Sequence, residues 1–319
     1  MMINKEKFSQ HKFLPYLLMT IPMVIGGTTW PLGKWLVSSY YGSTIPQLIM
    51  VVLRYFIAIP IFFLIMYFKE KDFHFQFVRE NFKFLSLLGF LSLTMYQIGY
   101  MYGETYTTGT EASLIIGTNP ISVFLITVIF LRYKVSIRHF IGIIIGFIGI
   151  LMVIFLETSP TASAKDPFLG NLLIIFAVLS FSSYTVLLKV FVNKFQYSNY
   201  KPSSLVILSW FSVLGTIFII PLTFILNPSY LSIQAFIQIP LRIWLGVIYL
   251  GIFPTVLGFM LYVEGIQLLD PNKAIIFTNI IPIVGIALSA FFLREQLNIF
   301  IHIGALLLIF LSIYLVNKK

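Results

Sequence analysis

The chain is a succession of apolar stretches, each about 20 residues long, which is the length a helix needs to cross the hydrocarbon core of a bilayer. With that length as the unit, spans fall near 14–37, 44–68, 84–104, 110–132, 139–156, 169–190, 203–227, 241–263, 272–293 and 297–316. The links between them are short. The longest (69–83, 157–168 and 191–202) have no room for a soluble domain. Of 319 residues 59% are hydrophobic and 10% charged, against about a quarter charged in a soluble domain. In water such a chain would expose large apolar patches and aggregate. The expected fold class is therefore an all-α integral membrane protein of about ten transmembrane helices. The first apolar stretch, from Leu14, is too long for a signal-peptide core and reads as the first span.

A net charge of +10 would suggest nucleic acid as a partner in a soluble protein. Here the basic residues sit in the gaps between spans, where they fix orientation. With the N-terminus inside, the cytoplasmic links hold Lys69, Lys71, Arg79, Lys83, Arg132, Lys134, Arg138, Lys189 and Lys194. The outer side keeps only Lys34, Lys165, Arg242 and Arg294. Both termini are expected in the cytoplasm, in a cell-membrane protein. The absence of cysteine excludes disulfides, thiolate metal sites and cysteine nucleophiles. His11, His74, His139 and His302 have no metal-ligand spacing, so no metal and no cofactor is expected.

The sequence also repeats itself. Shifted by 162 positions, residues 88–153 fall on 250–315 without a gap. Leu88-Gly89 lands on Leu250-Gly251, Tyr100 on Tyr262, Pro120 on Pro282, and Phe130-Leu131-Arg132 on Phe292-Leu293-Arg294. Each unit would hold five helices, and an odd number brings the second copy in from the opposite face. The expected organisation is two inverted repeats, 1–156 and 169–319, joined by an external linker at 157–168. Secondary transporters recurrently use this plan, with the substrate near the midplane between the repeats.

Gly26-Gly27-Thr28-Thr29-Trp30-Pro31-Leu32-Gly33-Lys34, Pro46 with Leu53-Arg54-Tyr55, Glu111 through Pro120, and Ala274 through Pro282 with Leu293-Arg294-Glu295 occur in that order. In these motifs the chain resembles the drug/metabolite transporter superfamily, EamA-domain type, as two tandem domains. In the first copy Tyr133 stands where the family usually has a glutamate. The resemblance implies ten helices, an inverted repeat and export of amino acids, aromatic ones included, or related metabolites. Small multidrug exporters, relatives by similarity, exchange protons for cationic drugs through a membrane-embedded glutamate. The first helix here has Thr28, Thr29 and Trp30 instead. Glu104 and Glu111 are read at the outer ends of the third and fourth helices, so uniport, exchange with a counter-substrate and proton coupling through a helix-end acid all stay open.

Arg54 lies about ten residues into a span, where a charge costs several kcal/mol unless it finds a cavity or a partner. It either anchors a substrate anion or braces the fold. Polar and aromatic side chains recur at mid-helix depth: Trp30, Tyr96, Gln97, Tyr100, Asn119, Tyr184, Trp210, Tyr249, Tyr262 and Asn279. At that depth they need partners or a wet pocket. The candidate cavity residues are Trp30, Arg54, Tyr96, Tyr100, Asn119, Tyr184, Tyr262 and Asn279. A channel would want a filter loop or rings of charge, an intramembrane enzyme a clustered catalytic set, and a nucleotide-driven pump a phosphate-binding loop. The sequence shows none of these. The expected function is a secondary transporter of small metabolites working by alternating access. A multidrug or organic-cation exporter is the rival, and a structural or channel-like membrane protein the alternative of another class.

Overall fold

The computed structural model describes residues 14–39, 42, 45–131, 136–156, 164–195, 202–262, 277, 280–295 and 298–317. Among these, all regular structure is helical. Two helices of 24 residues, α1 (Leu14–Val37) and α2 (Gln47–Glu70), open the chain. A short surface helix α3 (Phe75–Glu80) leads into α4 (Phe82–Tyr106) and α5 (Gly109–Phe130). Then come α6 (Ile137–Leu156), α7 (Pro167–Lys194), α8 (Ser204–Leu226) and the short α9 (Ile233–Ile237). The chain continues through α10 (Leu241–Tyr262), α11 (Ile280–Phe292) and α12 (Ile299–Asn317).

Six of these helices, α2, α4, α5, α7, α8 and α10, are long and apolar enough to cross a membrane. In α1 the apolar run is diluted by Pro22, Pro31, the Thr28-Thr29 pair and Lys34. Large apolar side chains such as Phe68, Phe130 and Phe300 point outward, the last 89% exposed. Water would not tolerate such a surface, and lipid does. The protein is a multi-pass membrane protein.

Packing joins the early helices to the late ones: α1 lies on α10 and α11, α2 on α8, α4 on α7 and α8, and α6 on α12. Without a hydrophobic drive between helices in lipid, close approach depends on small residues. A Cβ on Gly89 of α4 would stand 2.4 Å from the Phe211 carbonyl of α8, and one on Gly215 would stand 2.6 Å from the Gly89 carbonyl. The two glycines interlock, and Gly27 plays the same part for α1 against Val284 of α11.

Two helices loosen where the cavity described below begins. Phe90–Met95 of α4 and Gly251–Gly258 of α10 are π-helical, at positions that the 162-residue shift superimposes. In α10 the cause is Pro254, which has no N–H to keep the α ladder. The Thr255 hydroxyl compensates by donating to the Leu250 carbonyl at 2.7 Å. In α5 the ladder breaks at Gly117-Thr118, just ahead of Asn119-Pro120.

Candidate functional site

A cavity of about 160 Å³ opens between these loosened helices. Gly26, Thr29 and Trp30 of α1 line one side, and Arg54 and Tyr55 of α2 lie next to them. α4 contributes Ser92, Tyr96 and Gln97, and α5 contributes Asn119. The far wall comes from later in the chain: Phe181 of α7, Pro254, Phe259 and Tyr262 of α10, and Ile281 of α11.

Arg54 is 4% exposed, and its guanidinium is divided between two tasks. Its Nε donates to Thr255 Oγ1 at 2.6 Å, tying α2 to the π-helical part of α10. The terminal amino groups have no hydrogen-bond acceptor among the described residues, and Arg54 borders the cavity. The carbon at the centre of the guanidinium lies 5.8 Å from the centroid of the Tyr55 ring. Gln97 donates through Nε2 to Tyr55 Oη at 3.3 Å, and its Oε1 is buried without a donor. An unused cationic fork in a cavity wall can hold an anionic group.

The sequence-selected residues divide between the wall and what stands behind it. Trp30, Arg54, Tyr96, Asn119 and Tyr262 border the cavity. Asn119 Oδ1 also accepts from Ser182 Oγ at 3.1 Å, which orients its amide. Tyr100 stands one layer back. It meets the Trp30 ring edge-on at 4.6 Å, stacks on Tyr96 at 5.8 Å, and donates to the Thr29 carbonyl at 2.8 Å. Tyr184 is also behind the wall, packed between Phe181 and Phe211. Asn279 lies outside the described residues. Trp210 donates through Nε1 to the Phe73 carbonyl in the α2–α3 link, and Tyr249 shares a hydrogen bond with Thr28 at 2.9 Å.

Sequence reasoning missed Tyr55, Ser92, Phe181 and Pro254. Phe181 lies three residues before Tyr184, so helical spacing would have pointed to it. It also misjudged the far end of α1. Lys34, Glu104 and Glu111 read as groups at an outer surface, but all three are buried. With Thr107, Asn171 and Glu295 they form a polar cap over one end of the bundle. The Glu295 carboxylate accepts from the backbone N–H of Gly109 at 2.8 Å and of Thr110 at 2.9 Å, and from the Thr110 hydroxyl at 2.8 Å. It thereby caps the N-terminus of α5, where an anion is favoured.

Two tandem segments of the chain, residues 13–155 and 168–318, match the model of the EamA-like transporter family. The chain belongs to the EamA-like transporter family. The uncharacterized transporter YetK of Bacillus subtilis is 26% identical over 288 residues, covering 90% of this chain and 82% of that protein. YyaM of the same organism, also an uncharacterized transporter, is 26% identical over 92% of this chain and 90% of its own. An uncharacterized transporter of Archaeoglobus fulgidus is 28% identical over 73% of this chain and 76% of its own. A solved crystal structure of a protein at 17% identity superposes with a TM-score of 0.57 over 92% of this chain and 95% of that one, which shows a shared fold. This EamA-like chain is a membrane transporter, and the names of these relatives indicate no catalytic activity.

Proposed function

We propose that the chain is a secondary transporter exporting amino acids or closely related carboxylated metabolites across the cytoplasmic membrane by alternating access. On this reading the cavity is the substrate site. The observation that carries it is Arg54 in the cavity wall, whose Nε is held by Thr255 while its terminal nitrogens have no acceptor among the described residues. The fork suits a carboxylate, and Trp30, Tyr96 and Phe181 an apolar or aromatic side chain.

The architecture we propose with it is ten spans in two inverted five-helix repeats, 1–156 and 169–319, with both termini cytoplasmic and the linker outside. Support comes from the gapless internal shift, the paired π-helical segments and the pairing of early with late helices. The excess of basic residues in alternate links supports the orientation. Arg54 counts against the organic-cation reading, because a buried guanidinium repels a cationic substrate.

The test is uptake and efflux in proteoliposomes with three labelled probes: L-phenylalanine, phenylpropionate lacking the amine, and phenethylamine lacking the carboxylate. Transport of phenylalanine over phenethylamine supports the reading. Transport of phenethylamine alone would replace it with the cation exporter.

A further inference from the structure

Three carboxyls and one ammonium are buried together in the polar cap, and they do not share its hydrogen bonds equally. Glu295 has three donors. Glu111 Oε2 stands 2.5 Å from the Thr107 hydroxyl, and Lys34 Nζ donates to the Thr107 carbonyl at 2.5 Å. Glu104 is 0% exposed, and among the described residues no donor is directed at either of its carboxyl oxygens. Gly33 makes room for it: Glu104 Oε2 and Tyr100 Oη both lie 2.2 Å from the point that a Cβ on Gly33 would occupy.

The hydrogen of the Tyr100 hydroxyl is committed to the Thr29 carbonyl, so Tyr100 can offer Glu104 only a lone pair. A carboxylate anion in this place is shut off from solvent and has no donor among the described residues, which is costly. A neutral carboxylic acid has a hydrogen to donate, with Tyr100 Oη beside it to accept. The charged and titratable groups facing Glu104 are Lys34 on α1, Arg54 on α2, Tyr100 on its own helix and Glu295 beyond α11. Glu111 on α5 acts on the same Lys34. One ammonium among three carboxyls leaves the acid without donors as the natural seat of a proton.

We propose that Glu104 is a proton-binding site coupled to the cavity, so that export of substrate is exchanged for protons entering from the outer side. Closing the cap over Glu104 removes water from the carboxyl and therefore favours its neutral form. An outer proton adds to the carboxylate while the cap is open. It is released to cavity water once the cavity faces the cytoplasm, so each cycle moves one proton inward and leaves Glu104 as it began. Tyr100 links the acid to the cavity: its hydroxyl lies with the Glu104 carboxyl over Gly33, donates to the Thr29 carbonyl and leaves its ring against Trp30, and both Thr29 and Trp30 border the cavity. The proposal rests on the transporter reading above.

Two experiments decide it. Infrared difference spectra of the purified wild-type protein across a pH series need no substrate. They should show a protonated-carboxyl C=O band that titrates and is lost in Glu104→Gln. Absence of a titrating band in the wild type, or its persistence in Glu104→Gln, overturns the site. In proteoliposomes an acidic interior, whose protons leave in exchange for substrate, should drive uptake of L-phenylalanine against its gradient. In Glu104→Gln the ratio of pH-driven accumulation to counterflow exchange should fall to that of vesicles without a gradient. A variant that merely damaged the fold would lower both and leave the ratio intact. Wild-type transport that ignores the pH gradient would overturn the coupling while leaving the transporter reading in place. Failure of all three labelled probes would strike that reading and leave the infrared result to judge Glu104.

Discussion

The Glu295 carboxylate accepts a hydrogen bond from the backbone N–H of Gly109 at 2.8 Å, joining residues 186 positions apart in the chain. It ties the end of α11 to the start of α5 and closes the polar cap above the cavity. A charge-assisted contact of this kind contributes about 1.5–3 kcal/mol. Glu295→Gln keeps the shape but loses the charge at the helix N-terminus, and should lower the thermal unfolding midpoint of the detergent-purified protein. Glu295→Ala leaves the N–H groups of Gly109 and Thr110 without their acceptor and should lower it further. Equal midpoints for all three proteins would show that the clamp contributes nothing to stability.

The contact of α4 with α8 should tolerate no added carbon. Gly89→Ala and Gly215→Ala each place a methyl within 2.6 Å of opposing backbone, and overpacking of this kind typically costs about 1–3 kcal/mol. Both should lose monodisperse protein on gel filtration. Gly304→Ala is the control, because its nearest neighbour is the flexible Met152 side chain at 3.4 Å. Normal yield from Gly89→Ala would mean that the helices can separate without penalty.

The two tasks of Arg54 separate by substitution. Arg54→Lys retains a charge but loses the planar fork, and transport of L-phenylalanine and phenylpropionate should fall by roughly tenfold or more, consistent with one charge-assisted hydrogen bond. Thr255→Val removes the acceptor of Nε and leaves the terminal nitrogens in place. It should lower thermal stability and change the ranking of the three probes little. If Arg54→Lys leaves that ranking unchanged and lowers stability instead, the guanidinium is a brace alone.

Orientation is open to single cysteines, since the chain has none of its own. Gln76 and Lys165 are both exposed. An impermeant maleimide applied to intact cells should label Lys165→Cys and spare Gln76→Cys until the membrane is opened. The opposite pattern would invert the proposed topology.

The sequence by itself determined the solvent and the family. Runs of about 20 apolar residues leave the backbone no choice but helix in lipid, and the order of glycine, proline and Arg54 motifs was visible without coordinates. It also picked out Trp30, Arg54, Tyr96, Asn119 and Tyr262, because a polar or aromatic group at mid-span must find a partner somewhere. Which groups share a wall was decided by tertiary structure alone. Tyr100 and Tyr184 carry the same signal as Tyr96 in the sequence, yet helix rotation sets both behind the wall. The polar cap was least legible of all. Lys34, Glu104 and Glu111 lie near span ends, where a linear reading assigns them to water. Glu104 fits inside because Gly33 has no side chain, and its empty place admits the Glu104 carboxyl beside Tyr100. A missing side chain has no hydropathy, so only packing in three dimensions shows what it lets in.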